Sequence, residues 1–279
     1  MTAPRLVWEP KDGALVRRPD ELAVEEPLEI RLSAGPGSQS QDRRLSVTMR
    51  TPGSDFELAA GWLLSEGVID GPDDLHGIRY CTDPDLDGEQ RYNVVTADLK
   101  AARRVVERLT MTSSSCGVCG SSSIQELAQL GHPPLGEGAS AELVGWSTLV
   151  HLPSLLAEGQ SQFRSTGGLH AAALVSFAGD VLVVREDIGR HNAVDKAIGW
   201  ALLEQHFPLE GVVLVVSGRT SFEIVEKAMR AGICFVAGVS AASSLAARLA
   251  DETGMTLAGF VRDERCTVYA HPERIEMGA

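Results

Sequence analysis

Between Gly211 and Ser217 the chain reads VVLVV, five apolar residues in a row from Val212 to Val216. A strand with no polar side must be covered on both faces, which places it inside a sheet flanked by helices. The neighbouring sequence supplies both. Apolar periodicity predicts a helix around Leu149–Phe163, then strand Leu169–Phe177, a tight turn at Gly179-Asp180 and strand Val181–Glu186. A helix follows over Asn192–Gln205. After VVLVV come helix Ser221–Ala231, strand Ile233–Ala237, helix Ala241–Asp251, and strands Met255–Val261 and Cys266–Ala270. This order predicts a three-layer α/β/α domain with a mostly parallel sheet over residues 141–279.

Residues 1–110 read as a smaller mixed α+β domain. Glu21–Ser33 is extended around Pro27, and Leu45–Arg50 alternates as a half-buried strand. Between them, residues 34–41 are a loop by composition. Ser54 and Glu57 have capping-box spacing, so a helix is expected from Asp55 to Glu66, stopping at Gly67. Strands around Ile78–Thr82 and Arg91–Ala97 follow, joined by a turn carrying Asp83, Asp85, Asp87 and Glu89. That turn lacks the twelve-residue calcium-loop spacing and reads as a solvated hairpin. A short helix is expected over residues 101–109 and another over 124–131, capped by Ser123 and Glu126. Residues 111–140 otherwise form a loop and linker, ending in HPPLGEGAS.

Within that loop, Ser113–Ser123 (SSSCGVCGSSS) sets Cys116 and Cys119 in CxxC spacing among glycine and serine. Almost no side chain nearby could pack them into a core, so reactivity explains the pair better than burial does. Zinc, dithiol redox chemistry and sulfur relay all use this spacing. A structural zinc site needs four ligands, and Cys81, Cys234 and Cys266 are isolated, the last two reading as strand residues. Zinc nucleobase deaminases use His-x-Glu followed by Pro-Cys-x-x-Cys; here His170 is followed two positions on by Ala172, and the CxxC precedes it. His170 therefore reads as a structural histidine.

Three turns follow strands and open helices, where open α/β sheets bind ligands: Arg185–Lys196, Ser217–Ser221 and Gly238–Ser244. Gly218 allows close backbone approach, and Thr220 and Glu223 have capping-box spacing. Arg185, Arg190, His191, Lys196 and Arg219 gather here, with Arg262 and Arg265 on the last strand pair. The formal charge is −13, which opposes binding to nucleic acid or to an anionic membrane. Cations at a single such turn read as ordinary helix capping with solvated charges, but three such turns on one sheet of so acidic a chain shift the balance towards a phosphate-bearing ligand. No secretory signal and no apolar run of roughly 18 residues is present, so a cytoplasmic protein is expected.

The stretches TPGSDFELAAGWLLSEG, SSSCGVCG, FRSTGGLHAAAL, REDIGRHNAVDK, SGRTSFEIVEKA and GFVRDERCTVY resemble the formate dehydrogenase accessory sulfurtransferase family, FdhD. The resemblance runs from about residue 45 to 270. It implies a cytidine-deaminase-like fold for the second half with the deaminase metal site lost, and no permanently held metal. It further implies an enzyme that takes sulfur from a cysteine desulfurase and gives it to the molybdenum cofactor, Mo-bis(molybdopterin guanine dinucleotide), for formate dehydrogenase. Cys116 would carry the persulfide and Cys119 assist. The cofactor stretch falls on Phe260, Val261, Arg262, Asp263, Glu264 and Arg265, with Ser217, Gly218, Arg219 and His191 from the turns beside it. A homodimer is common in the resembled family. The alternative is a cofactor-binding chaperone for formate dehydrogenase maturation in which the CxxC is a redox or structural element.

Overall fold

The computed structural model describes residues 1–33, 42–81, 92–100, 143–262 and 264–278. Cys116, Cys119 and Asp263 lie outside them, as do the 34–41 loop, the acidic turn, the two helices expected over 101–109 and 124–131, and the linker. Strands β1 (Thr2–Lys11) and β2 (Ala14–Ala23) form a separate ribbon, and β3 (Glu26–Leu32), β4 (Arg43–Arg50), β5 (Leu75–Tyr80) and β6 (Val94–Leu99) form a sheet in the order β4-β3-β6-β5. Helix α1 (Asp55–Ser65) sits between β4 and β5 in the chain.

The second half holds β7 (Val144–Gly145), α2 (Trp146–Gly159), α3 (Ser161–Thr166), β8 (His170–Ser176), β9 (Val181–Asp187), α4 (Arg190–Leu203), β10 (Val212–Val216), α5 (Phe222–Arg230), β11 (Phe235–Gly238), α6 (Ser244–Thr253), β12 (Thr256–Arg262), β13 (Arg265–Ala270) and β14 (Ile275–Glu276). Six of these strands form one sheet in the order β13-β12-β11-β10-β8-β9. The sheet is mixed rather than mostly parallel. β10, β11 and β12 run parallel, but β8 is antiparallel to both β9 and β10, and β13 to β12. Connections as short as those from β8 to β9 and from β12 to β13 permit only hairpins, whereas parallel neighbours need a crossover.

VVLVV is covered on both faces, and the pleat decides which residue goes where. Val212, Leu214 and Val216 join one core cluster, beneath α4, α5 and α6; Val213 and Val215 join the other, beneath Leu149, Leu152 and Leu156 of α2. The three layers expected from the sequence are present. The first cluster also runs through α1 to Leu28, Ile30, Val95 and Ala97 of the four-stranded sheet.

Helix α1 forms without the expected capping box. Ser54 sits in the left-handed region at φ 56° and its side chain makes no cap bond. Glu57 instead takes the guanidinium of Arg185, with Arg185 Nη2 donating to its Oε1 at 2.7 Å. The bidentate Arg50–Asp55 pair, two bonds of 3.0 Å, anchors the turn. Against α4, the helix crosses at Gly61 and Gly199: a Cβ on Gly61 would lie 1.9 Å from the Asp195 carbonyl oxygen, and one on Gly199 would lie 1.8 Å from that of Glu57. Only hydrogen fits at either position, so the two backbones touch.

Candidate functional site

Because β8 runs against β10, its first residue lies where β10 ends, and the last residue of β9 pairs with it: His170 is opposite Asp187. The ends of β10, β11 and β12 share that edge. Ser217 N donates to Ala171 O at 3.0 Å, Val239 N to Val216 O at 3.0 Å, Thr220 N to Ala241 O at 3.0 Å and Phe260 N to Ser240 O at 3.1 Å. A continuous row of main-chain bonds thus joins the Ser217–Ser221 turn, the Gly238–Ser244 turn and the start of the Phe260–Arg265 stretch.

The helix starts on this edge differ. Ser243 caps α6, its hydroxyl accepting from Ala246 N at 3.2 Å. Neither α4 nor α5 has a side-chain cap, which leaves first-turn N–H groups for other partners. The capping box expected of Thr220 and Glu223 does not form: the N-cap of α5 is Ser221, and Glu223 Oε2 lies 2.8 Å from His191 Nε2, with Ser221 Oγ 3.2 Å from the same nitrogen. His191, by hydrogen bonding and charge, holds the Glu223 carboxyl below the usual carboxylate range. Through His191 the first two turns become one unit.

Gly218 lies against that unit. A Cβ there would come within 3.3 Å of His170 Nδ1 and 3.6 Å of Arg190 Cβ. Two cavities open nearby. One, about 500 Å³, is lined by Thr48, Met49, Arg190, His191, Glu223 and Lys227 among others; the second, about 510 Å³, is lined by Leu156, Phe163, His170, Ser217 and Val239 among others. Burial, then the charges of Arg190 and His191, push the His170 imidazole below its ordinary value. Two buried polar atoms here, Arg190 Nε and Thr220 Oγ1, have no hydrogen-bond partner, a feature that native proteins keep few of.

The cations expected to gather at these turns divide into two groups. Arg185 is spent on Glu57, and Lys196 is buried against Asp187 at 2.8 Å. Arg190 and His191 stay on the first cavity's wall, and Arg219 is exposed. Arg262 and Arg265 are directly paired across β12 and β13 and both are exposed. Phe260 is exposed on a bulge with φ 52°, Glu264 is exposed with φ 61°, and Val261 turns its side chain into the core.

Asp187 is a residue that motif reading missed. Its Oδ1 accepts from Gly189 N at 2.8 Å and Asn192 Nδ2 at 3.1 Å, while its Oδ2 accepts from Thr51 N at 3.1 Å. It fixes the start of α4 and hence Arg190 and His191. The only sequence signal was its place at a strand end just before a helix. His170, read as structural, opens β8 on this edge, next to the outermost strand β9. Among the described residues there is no group of three or more His, Cys, Asp or Glu that could hold a metal, and no helix long and apolar enough to cross a membrane. Cys234 is buried and Cys266 partly so, and burial raises both thiols.

The FdhD/NarQ family matches residues 23–276. The chain is 47% identical over 279 residues to the sulfur carrier protein FdhD of Mycolicibacterium paratuberculosis, covering 99% of each, and 48% identical over 275 residues to that of Nocardia farcinica, covering 99% and 95%. A crystal structure described as a formate dehydrogenase accessory protein from Desulfotalea psychrophila has the same fold, with a TM-score of 0.74 over 99% of both chains at 21% identity. On the length and level of these matches, the chain belongs to the FdhD/NarQ family.

Proposed function

We propose that this protein is a sulfur carrier in formate dehydrogenase maturation, with Cys116 as the carrying thiol and the molybdenum cofactor as the acceptor. The names borne by relatives at 47–48% identity support sulfur carriage. The acceptor reading rests on one observation: two uncapped helix starts, joined through His191, share an edge with Arg190, Arg219, Arg262 and Arg265. A bis guanine dinucleotide carries two pyrophosphates, and free N–H groups with guanidinium groups are what such anions require. The unpartnered Arg190 Nε and the close approach allowed by Gly218 fit a ligand of this kind. The layered sheet agrees with a cytidine-deaminase-like domain put to this use.

In the first step the Cys116 thiolate attacks the outer sulfur of a desulfurase persulfide. A new S–S bond forms on Cys116, the old one breaks, and the desulfurase leaves as its thiolate. In the second step the Cys119 thiolate attacks Cys116 Sγ, the bond from Cys116 to the outer sulfur breaks so that this sulfur leaves as sulfide for the acceptor, and the Cys116–Cys119 disulfide left behind is reopened by a cellular dithiol. Gly117 and Gly120 keep bulk away from the thiol as it meets two partners. The reaction belongs in the cytoplasm, where thiols stay reduced.

Expression in cells lacking their own copy tests this reading. Wild type is expected to restore formate dehydrogenase activity, and Cys116→Ala is expected to fail while accumulating to the same level. Full restoration by a Cys116→Ala/Cys119→Ala double variant would instead support the cofactor-binding chaperone.

A further inference from the structure

Strand β4 is an outer strand of the four-stranded sheet, and its free edge borders the cavity of about 500 Å³ that opens beside Arg190. Asn192 Nδ2 donates to Met49 O at 2.8 Å, and Pro27, opposite Met49 on β3, has no N–H to give it. The Met49 carbonyl therefore points away from β3, and Val47, two residues earlier, points its N–H and C=O the same way. Ser46 and Thr48 pair with Ile30 and Leu28 and share their buried face. Val47 turns its side chain to the opposite face, which leaves its main chain to border the cavity. Open backbone groups on a strand edge accept a further strand.

The charges around the cavity are mostly spent on one another. His191 holds Glu223, Lys227 holds Asp195 through two contacts of 2.8 Å, and Glu226 lies 3.7 Å from Arg230. Glu25 is exposed. Of the rest, Glu66 and Arg190 take part in no hydrogen bond or ion pair among the described residues. Burial raises the Glu66 carboxyl above its ordinary value, with Lys227 opposing and Asp195 reinforcing the shift. The Ser46 hydroxyl, on a residue only 6% exposed, has no hydrogen-bond partner, and neither has Arg190 Nε. Two such atoms on one cavity call for a ligand that would satisfy them.

We propose that this cavity binds a short peptide with free termini, its ammonium at Glu66, its terminal carboxylate at Arg190 and its main chain against Val47. Glu66 follows the last residue of α1 while Ser46 belongs to β4, so their oxygens come from different elements, as the diverging donors of an ammonium require. Arg190 opens α4, whose first turn has no side-chain cap, and offers a carboxylate both its guanidinium and free N–H groups. Asp195, whose charge reaches Glu66, lies five residues beyond Arg190 on α4. That is about 7.5 Å, the reach of two to three extended residues at about 3.3 Å each. Recognition through termini and backbone leaves the peptide's side chains free to vary. The site shares Arg190 with the acceptor edge proposed above but does not depend on that reading.

Isothermal titration of the full chain with trialanine tests this. Wild type is expected to bind trialanine, and to bind N-acetyl-trialanine and trialanine amide each about tenfold more weakly, the loss of one charge-assisted bond. Glu66→Gln is expected to bind trialanine about tenfold more weakly and to bind the acetylated peptide as wild type does, which ties the ammonium to that carboxylate. Ser46→Ala, whose hydroxyl has no partner to lose in the free chain, is expected to bind trialanine severalfold more weakly at an unchanged melting temperature. No heat of binding with wild type, equal affinity for free and capped peptides, or a Glu66→Gln chain that still prefers the free amino terminus would each overturn the proposal.

Discussion

Lys196 Nζ lies 2.8 Å from Asp187 Oδ2, and the two side chains are 2% and 0% exposed. Lys196 also donates to Thr51 O at 2.8 Å, so the pair ties the turn before α1 to the end of β9 and the start of α4. Removing one partner strands the other's charge in the interior, which costs about 3–5 kcal/mol. Asp187→Asn and Lys196→Met are expected to lower the urea midpoint accordingly. Either variant unfolding at the wild-type midpoint would show that the pair is not holding these elements together.

The crossing of Gly61 and Gly199 makes a second prediction. A methyl at either position meets a carbonyl oxygen well inside van der Waals contact, so Gly61→Ala and Gly199→Ala are each expected to cost about 1–3 kcal/mol or more as α1 and α4 are forced apart. Gly77, whose added Cβ would meet nothing within 4 Å, is the control; Gly77→Ala is expected to be near neutral by thermal melting.

Stability should also respond to His170. Burial, Arg190 and His191 lower its folded value from the ordinary 6.5, with Asp187 opposing them. Above 6.5 the imidazole is neutral in both states and its contribution is complete. As pH falls below 6.5 the unfolded chain takes up a proton first and stability is lost, until the folded form protonates too. His170→Gln is expected to flatten the pH dependence in that window. An unchanged profile would mean that other groups set it.

How much of this was legible beforehand depended on how local the cause was. Val212–Val216 announced a strand covered twice because five residues suffice to show it. The two capping boxes misled because Glu57 and Glu223 found stronger partners in Arg185 and His191, which no spacing rule can see. The mostly parallel sheet failed for a different reason: alternating helices and strands suggested crossovers, while short connections at both edges made hairpins. Asp187 escaped notice because its contact with Thr51 N spans 136 positions. The edge on which Ser217, Gly218, His191 and Phe260 meet was read from motif and resemblance, and backbone bonds through Ser240 explain how it is held.

Arg262 and Arg265 offer a direct test of the proposed acceptor site. If they meet a phosphate-bearing ligand, Arg262→Ala and Arg265→Ala should each weaken binding of guanosine diphosphate about tenfold, the equivalent of one charge-assisted bond of about 1.5 kcal/mol. Isothermal titration at two salt concentrations checks this. The deficit should shrink as salt rises. Arg18→Ala, on the β1–β2 ribbon, should bind as wild type does, and a loss there as large as at Arg262 would remove the case for a local site.

Sulfur carriage by Cys116 is decided by peptide-mapped mass spectrometry of the chain after incubation with a cysteine desulfurase and cysteine. The expected result is a gain of about 32 Da on the peptide holding Cys116, removed by a reductant and absent from Cys116→Ala. The same gain persisting in Cys116→Ala, or appearing on Cys81, Cys234 or Cys266 instead, would contradict the account.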